Sequence, residues 1–360
     1  MTTLYDVAII GAGPAGSVFA KELALGDQSL KILIIDGQSE ERPKVCGGLL
    51  APDAQKLLAK MNLTLPKNVL ADPQIFAVET VDLSKKYVRY YQRHYLNMDR
   101  SAFDRWLLSL VPNNVEIVSG RCSSISESND GYSIKVRCDG HKTEYCTAAI
   151  VGADGGGSVV RRSFFRKSIF QYVAIQQWFE CEGEKLPYYS CIFDEKTSDS
   201  CSWTIRKDQY CVFGGAFEKS GCRISFEEQK TRLEEFVGYK FNAPVKTEAC
   251  LLSSPRKMSD FIVGKKSVYL IGEAAGFISA SSFEGISSAI LSGKLLADAF
   301  LEGKDHKKIM KLYKAKTLPL RIKLYFKTKK RFVLCSPSLR HMIMKSGIES
   351  VKKYPSSHQK

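Results

Sequence analysis

Residues 7–16 read Val-Ala-Ile-Ile-Gly-Ala-Gly-Pro-Ala-Gly, an apolar strand running straight into Gly11-x-Gly13-x-x-Gly16. Few ten-residue stretches constrain a fold so tightly. Gly11 permits a tight turn, Gly13 lets backbone approach a pyrophosphate, and Gly16 lets a helix pack closely on the strand. The helix that begins here points its first N–H groups at the anion. A glycine run alone is weak evidence, and the bland alternative is a glycine turn in an ordinary βαβ unit. Here the context is complete. A helical stretch holding Val18, Phe19 and Leu23 follows, then a second apolar strand from Leu30 to Ile35 that ends at Asp36. An acidic side chain at that distance is placed to accept hydrogen bonds from a ribose.

The rest of the chain reads as a large globular protein. Its 360 residues, 44% hydrophobic and 25% charged, suffice for two domains or one elaborated domain. No apolar run reaches the roughly 18 residues of a membrane span. The N-terminus lacks the basic start of a secretory signal, so none is expected. Eleven cysteines are scattered without a Cys-x-x-Cys pair, which argues against a disulfide framework and against zinc, and fits a reducing cytosol. The five histidines form no metal or triad motif, so no metal is expected.

Charge divides the chain. Residues 304–360 hold 17 Lys/Arg and two acids, Asp305 and Glu349, and so carry the whole net charge of +15. The preceding chain is neutral. Large apolar residues are interleaved with the bases, among them Ile309, Leu318, Ile322, Tyr325, Phe326 and Phe332. The spacing at 318, 322, 325 and 326 predicts a helix, although 320, 322, 324 and 326 also alternate as a strand would. A basic segment with aromatics can lie on an anionic leaflet, and four or five engaged cations would contribute about 4–5 kcal/mol. An anionic membrane surface is therefore an expected partner of 304–360, with a solvated terminal subdomain as the plain alternative. Nucleic acid is not expected, because no nucleic-acid-binding motif accompanies the charge. The expected location is cytoplasmic, peripheral on the inner face of the membrane.

Between these ends, 53–61 and 225–237 read as helices and Ile75–Tyr95 as strands. Residues 115–118 and 132–137 read as strands of a hairpin-like insertion. A second β-rich region runs from Gln171 to Phe217, with Tyr188, Tyr189, Phe193, Trp203, Tyr210 and Phe213 as its aromatics. A strand at 267–271 leads into Gly272-Glu273-Ala274-Ala275-Gly276, and a long helix follows from Gly285 to Leu301.

Four segments together resemble the FAD-dependent oxidoreductases of the aromatic hydroxylase and geranylgeranyl reductase superfamily. They are the glycine fingerprint, the helix start Asp99-Arg100-x-x-Phe103-Asp104, the run holding Asp154, Gly155, Ser158, Val160 and Arg161, and Gly272–Gly276. The resemblance covers roughly residues 4–300. Three longer stretches, Lys44–Ala54, Tyr172–Phe179 and Gly272–Ser282, resemble the geranylgeranyl reductase branch in particular.

The resemblance implies an α/β fold: a Rossmann-type FAD-binding domain from 1–74, 96–165 and 262–302, an inserted β-sheet substrate domain from 75–95 and 166–261, and a basic helical segment over 303–360. It implies FAD as cofactor, held by Gly11, Gly13, Ala15, Gly16, Asp36, Arg100, Asp154, Gly272, Glu273, Gly276 and Gly285. Glu273 stands where an Asp is usual, and the added methylene moves its carboxylate by about one carbon–carbon bond. NADPH or another reductant is the implied electron donor. Cys46-Gly47-Gly48 stands where reductase relatives carry a similar loop near the flavin, which makes Cys46 a candidate proton donor; the alternative is a small buried residue. Ser202-Trp203-Thr204-Ile205 partly matches the reductases' aromatic substrate motif and departs from it at Ile205-Arg206. Tyr189, Trp203 and Phe213 are candidate substrate contacts, with an ordinary sheet core as the alternative.

The implied reaction is reduction of carbon–carbon double bonds in an isoprenoid or other lipid. Hydroxylation of an aromatic by a flavin monooxygenase, or a flavin-binding redox sensor without turnover, stay open.

Overall fold

The computed structural model describes residues 4–37, 44–138, 140–181 and 189–352. Tyr188, part of the loop before Lys44, and the last eight residues of the basic tail lie outside the described residues.

Two eight-stranded sheets organise the described residues. Strands of the first sheet are β1 (Leu4–Ile10), β2 (Ile32–Asp36), β6 (Val115–Ser119), β7 (Arg121–Ser128), β8 (Gly131–Cys138), β9 (His141–Gly152), β15 (Gly264–Lys265) and β16 (Val268–Leu270). Its parallel centre runs β16-β9-β1-β2-β6. β1 and β2 are buried nearly throughout and read as continuous Val/Ile/Leu runs, as strands covered on both faces do. Val115–Ser119, expected in a hairpin, instead pairs parallel with β2. The hairpin is β7 with β8, continued antiparallel onto the first half of β9. β9 thus serves three partners: β8 along its first half, then β16 at its end, with β1 parallel to it from Cys146 to Gly152.

Strands of the second sheet are β3 (Leu49–Leu50), β4 (Ile75–Asp82), β5 (Tyr87–Asn97), β10 (Gln171–Glu180), β11 (Tyr189–Phe193), β12 (Cys201–Lys207), β13 (Tyr210–Phe217) and β14 (Lys246–Ser253). Their order is β14-β10-β13-β12-β11-β4-β5-β3. The two segments that build it meet where β11 pairs parallel with β4. Its register sorts side chains by face. Trp203 lies opposite Cys191 and Gly214, and Tyr189 opposite Ile205, so these share one face. Phe213 lies opposite Thr204 and takes the other face. There it packs with Phe179, Phe217, Phe226 and Leu233, the last two from helix α5 (Cys222–Val237).

Helix α1 (Pro14–Gly26) follows the glycine turn, and α6 (Ile286–Glu302) crosses it closely. A Cβ on Gly293 would stand 2.4 Å from the Ala15 carbonyl oxygen, so only glycine allows this approach. Helices α2 (Pro52–Lys60), α3 (Arg100–Ser109) and α4 (Val159–Phe164) flank the same layer. The Asp99 carboxylate accepts the Ala102 N–H at 2.6 Å, which caps α3 and fixes Arg100 as its first residue.

Among the described residues the basic tail is helical in three pieces, α7 (His306–Lys316), α8 (Leu318–Cys335) and α9 (Pro337–Lys345). Tyr313 is fully buried and donates to the Leu270 carbonyl at 3.0 Å, tying α7 to the first sheet. α8 and α9 then cross to the second. Arg331 donates to Asp199 at 2.5 Å, and Arg340 donates to Asp82 at 2.9 Å and Glu195 at 3.1 Å. No helix among the described residues is long and apolar enough to cross a membrane.

Candidate active site

A cavity of about 1270 Å³ runs between the two sheets. It exceeds the roughly 300–1,000 Å³ of a one-ligand pocket, leaving room for an extended dinucleotide and a second molecule. One end is the glycine cradle of β1 and α1. The floor of the other end is the face of the second sheet that carries Tyr189, Cys191, Trp203 and Ile205. Lys327, Val333 and Leu334 of α8 and Arg340 and Met344 of α9 form its roof.

The cradle has the shape an anionic ligand needs. Gly11 has φ +108°, and a Cβ there would lie 2.6 Å from the Ala153 carbonyl oxygen. A Cβ on Gly13 would meet nothing within 4 Å, so that backbone faces open space. Neither α1 nor α6 has a side-chain cap, and Gly13 and Gly285 at their starts line the cavity. Two helix N-termini therefore present N–H groups to one space. Ala15, Asp36 and Gly272 line it as well.

Two of the expected glycines act at a distance. A Cβ on Gly16 would lie 2.0 Å from the Gly11 carbonyl oxygen, so Gly16 sets the packing beneath the turn and does not line the cavity. Gly276 has φ +85° and sits against the Asp260 carbonyl, also off the cavity wall.

The charged residues are engaged in ways the sequence did not specify. Glu273 is buried; its carboxylate accepts from Lys44 Nζ at 2.5 Å and from the Ser253 N–H at 2.9 Å. Lys44 thereby bridges the Cys46 loop to the Gly272–Ala275 turn. Arg100 holds Asp104 with two hydrogen bonds, 2.8 and 3.1 Å. Burial opposes the Arg100 charge, but Asp104 and the neighbouring Cys46 outweigh it and raise its pKa. Asp154 lines the cavity, yet its carboxylate turns to the start of α4, accepting from Ser158 Oγ at 2.5 Å and the Val159 N–H at 2.6 Å. Burial raises its pKa against those hydrogen bonds. Arg161 is a buried staple donating to the Ala274 and Asp260 carbonyls at 2.9 and 3.0 Å.

Cys46 lies on the cavity wall and accepts the Gly48 N–H at 3.4 Å. The loop is clamped from the second sheet. Lys207, at the end of β12, donates to the Gly48 carbonyl at 3.2 Å, Asn97 Oδ1 at 2.6 Å and the Met98 carbonyl at 2.8 Å. All three ammonium hydrogens are used on neutral acceptors, and burial pulls the Lys207 pKa down to about 8.

Of the three expected substrate contacts, the structure brings two together. Tyr189 and Trp203 line the cavity floor. Trp203 Nε1 donates to Gln176 at 3.3 Å, and its ring lies over Gly214. Phe213 is a correction: one pleat away from Trp203, it is completely buried on the α5 side and does not reach the cavity.

Several wall residues went unnoticed in the sequence. Arg89, Tyr91, Arg93 and Tyr95 of β5 all line the cavity. Tyr95 donates to Glu284 Oε1 at 2.7 Å and Arg93 to the same carboxylate at 3.1 Å. Their every-second-residue spacing was the available signal. Cys191 and Cys201 add two thiols to the floor. Among the described residues, no group of three or more His, Cys, Asp or Glu is gathered as a metal site.

Comparison with known proteins fits this geometry. Over 360 residues the chain is 43% identical to Protein CbrA of Escherichia coli O6:H1, covering 98% of this chain and 96% of the relative. It is 44% identical to Protein CbrA of Shigella flexneri serotype 5b over the same shares. The chain belongs to the CbrA family. Residues 6–174 also match the lycopene cyclase protein family. Among solved structures, a geranylgeranyl bacteriochlorophyll reductase-like protein from Thermoplasma acidophilum superposes with TM-score 0.78 at 18% identity, over 95% of this chain and 91% of that one. A probable FAD-dependent monooxygenase from Pseudomonas aeruginosa superposes with TM-score 0.69 at 17% identity, over 96% and 99%. This CbrA relative therefore has the fold of flavin-dependent oxidoreductases, an α/β protein with a Rossmann-type dinucleotide half and a helical C-terminal part.

Proposed function

We propose that the protein is an FAD-dependent oxidoreductase that reduces carbon–carbon double bonds of an isoprenoid or other lipid. One observation carries the reading: a continuous cavity joins the glycine cradle to a chamber lined by Tyr189, Phe193, Trp203, Ile205, Val333 and Leu334. An extended apolar chain gains about 0.8 kcal/mol per buried CH₂ in such a chamber.

The residues present fit FAD. Gly11, Gly13 and Ala15 with the start of α1 would hold the pyrophosphate, Asp36 the adenosine ribose, and Gly272 and Gly285 the flavin side. When bound, FAD supplies hydride transfer to and from its ring. The chain's own residues do the rest. Lys44 and Glu273 tie the Cys46 loop to the Gly272 turn, and Lys207 ties it to the substrate sheet. Cys46 places its sulfur on the wall shared by cradle and chamber, where it could hand a proton to the reduced carbon. α8 and α9 cover the chamber from above. The electron donor is proposed to be NADPH or another reductant, because alkene reduction consumes two electrons per turnover.

The test is anaerobic. Flavin-loaded protein reduced with dithionite is mixed with a prenyl phosphate, and the flavin absorbance is followed. Reoxidation with a product two mass units heavier is the expected result. Oxygen-dependent NAD(P)H consumption stimulated by phenols, without reoxidation by the prenyl compound, would replace this reading with hydroxylation. A protein that takes up no flavin would end both.

A further inference from the structure

We propose that α8 and α9 form a docking surface for an anionic lipid bilayer, with the mouth of the cavity opening beside it. Each helix is anchored on one side only. Leu320 and Leu324 of α8 and Arg340 and Met344 of α9 are buried against the body. The opposite side carries large apolar groups in the open. Leu318, Ile322 and Phe326 recur every fourth residue and are 46%, 40% and 66% exposed. Phe332 follows at 71%, Met342 at 67%, and Ile348, just past α9, at 68%. A helix side that repeats its exposed apolar residues in this way is, among the described residues, an amphipathic face without a partner.

Charge chooses the partner. Lys323, Lys329, Lys330 and Lys345 are exposed among these apolar side chains, and Lys307, Lys308, Lys311 and Lys314 are exposed on α7. Among the described residues, Lys329, Lys330 and Lys345 form no ion pair. Leu318, Ile322, Met342 and Ile348 offer nothing to a phosphodiester backbone. Apolar side chains interleaved with ammonium groups suit acyl chains beneath anionic headgroups.

The surface and the chamber share residues. Lys330 and Ile343 are exposed and also line the cavity. Arg89 donates to the Ile343 carbonyl at 3.0 Å, which sets β5 at the same rim. Seating this face on a bilayer thus brings the cavity mouth to the lipid.

The inference does not depend on the flavin chemistry, and its test reads binding alone. The full-length protein is sedimented with phosphatidylcholine vesicles and with vesicles to which phosphatidylglycerol has been added. Binding is expected only to the anionic vesicles and is expected to weaken with salt. Each lysine neutralised lowers partitioning about fivefold, so the double variant Lys329→Gln/Lys345→Gln loses roughly twenty-five-fold. Phe326→Trp, a change at an exposed position, adds an indole whose emission maximum moves to the blue on the anionic vesicles. Equal binding to both vesicle types, no binding to either, an emission maximum of the Phe326→Trp variant that stays in place, or displacement from vesicles by equimolar duplex DNA would each overturn the proposal.

Discussion

Arg340 and Asp82 lie 258 residues apart in the chain and join at 2.9 Å, with side chains only 3% and 0% exposed. The guanidinium belongs to α9, the carboxylate to the end of β4, and Arg340 also reaches Glu195 beyond β11. This pair holds the basic tail on the second sheet and fixes the chamber's roof. Removing one partner of a buried pair leaves an uncompensated charge and costs about 3–5 kcal/mol. Arg340→Met is expected to lose that much in urea unfolding, or to release α8 and α9 alone. Limited proteolysis distinguishes the two: cleavage within 318–345 with an intact body marks release.

Gly13 and Gly16 are expected to fail differently when changed to alanine. At Gly13 the φ of −66° suits any residue and a Cβ meets nothing within 4 Å. Gly13→Ala should therefore fold, with stability unchanged or raised by about 0.4–1 kcal/mol, yet bind FAD at least tenfold more weakly. Gly16→Ala drives a methyl into the Gly11 carbonyl, and the soluble yield itself should fall. Thermal melting with a flavin titration separates them.

Lys207 gives the protein a pH signature. Its pKa is held near 8, below the 10.5 of a free lysine, because its charge is buried among neutral acceptors. Between these values the unfolded chain binds more protons than the folded one, so this group makes stability rise with pH. Its penalty is fully present below about pH 8 and is relieved as pH climbs to 10.5. Lys207→Met should remove that increment from a denaturation profile. Flavin absorbance measured alongside reports whether the Cys46 loop has moved.

The two faces of the second sheet should also separate in experiment. A Cβ on Gly214 would lie 2.7 Å from the Trp203 ring, pushing the indole into the chamber. Gly214→Ala is expected to raise KM for a bulky substrate at least tenfold while FAD affinity holds. Phe213→Ala empties a site on the α5 side and should cost about 3–5 kcal/mol with KM unchanged. Steady-state kinetics at a temperature where both variants are folded provides the comparison.

The glycine cradle was legible in the sequence because backbone geometry dictates it: only glycine suits φ +108° at position 11 and the 2.0 Å approach at position 16. The capped start of α3 at Arg100 was legible for the same reason, since Asp99 satisfies a local N–H. What depended on distant pairing was not. Residues 115–118 read as a strand of a hairpin-like insertion, and only the parallel partner β2 settles their place. Phe213 and Trp203 look alike as aromatics, and the register that puts Gly214 beneath Trp203 is what parts them. The roof was hidden for a related reason. Arg340 reads as one more base in a basic tail until Asp82 is seen opposite it.

Because α8 and α9 follow both sheets in the chain, the ceiling over the room for the second molecule is laid after its floor and walls. A ribosome that stops at Thr317 would leave the cradle, both sheets and the Tyr313 anchor in place, but no ceiling. Such a protein would still be able to turn yellow with flavin while its basin lay open to water, a holoenzyme in colour and an empty vessel in chemistry.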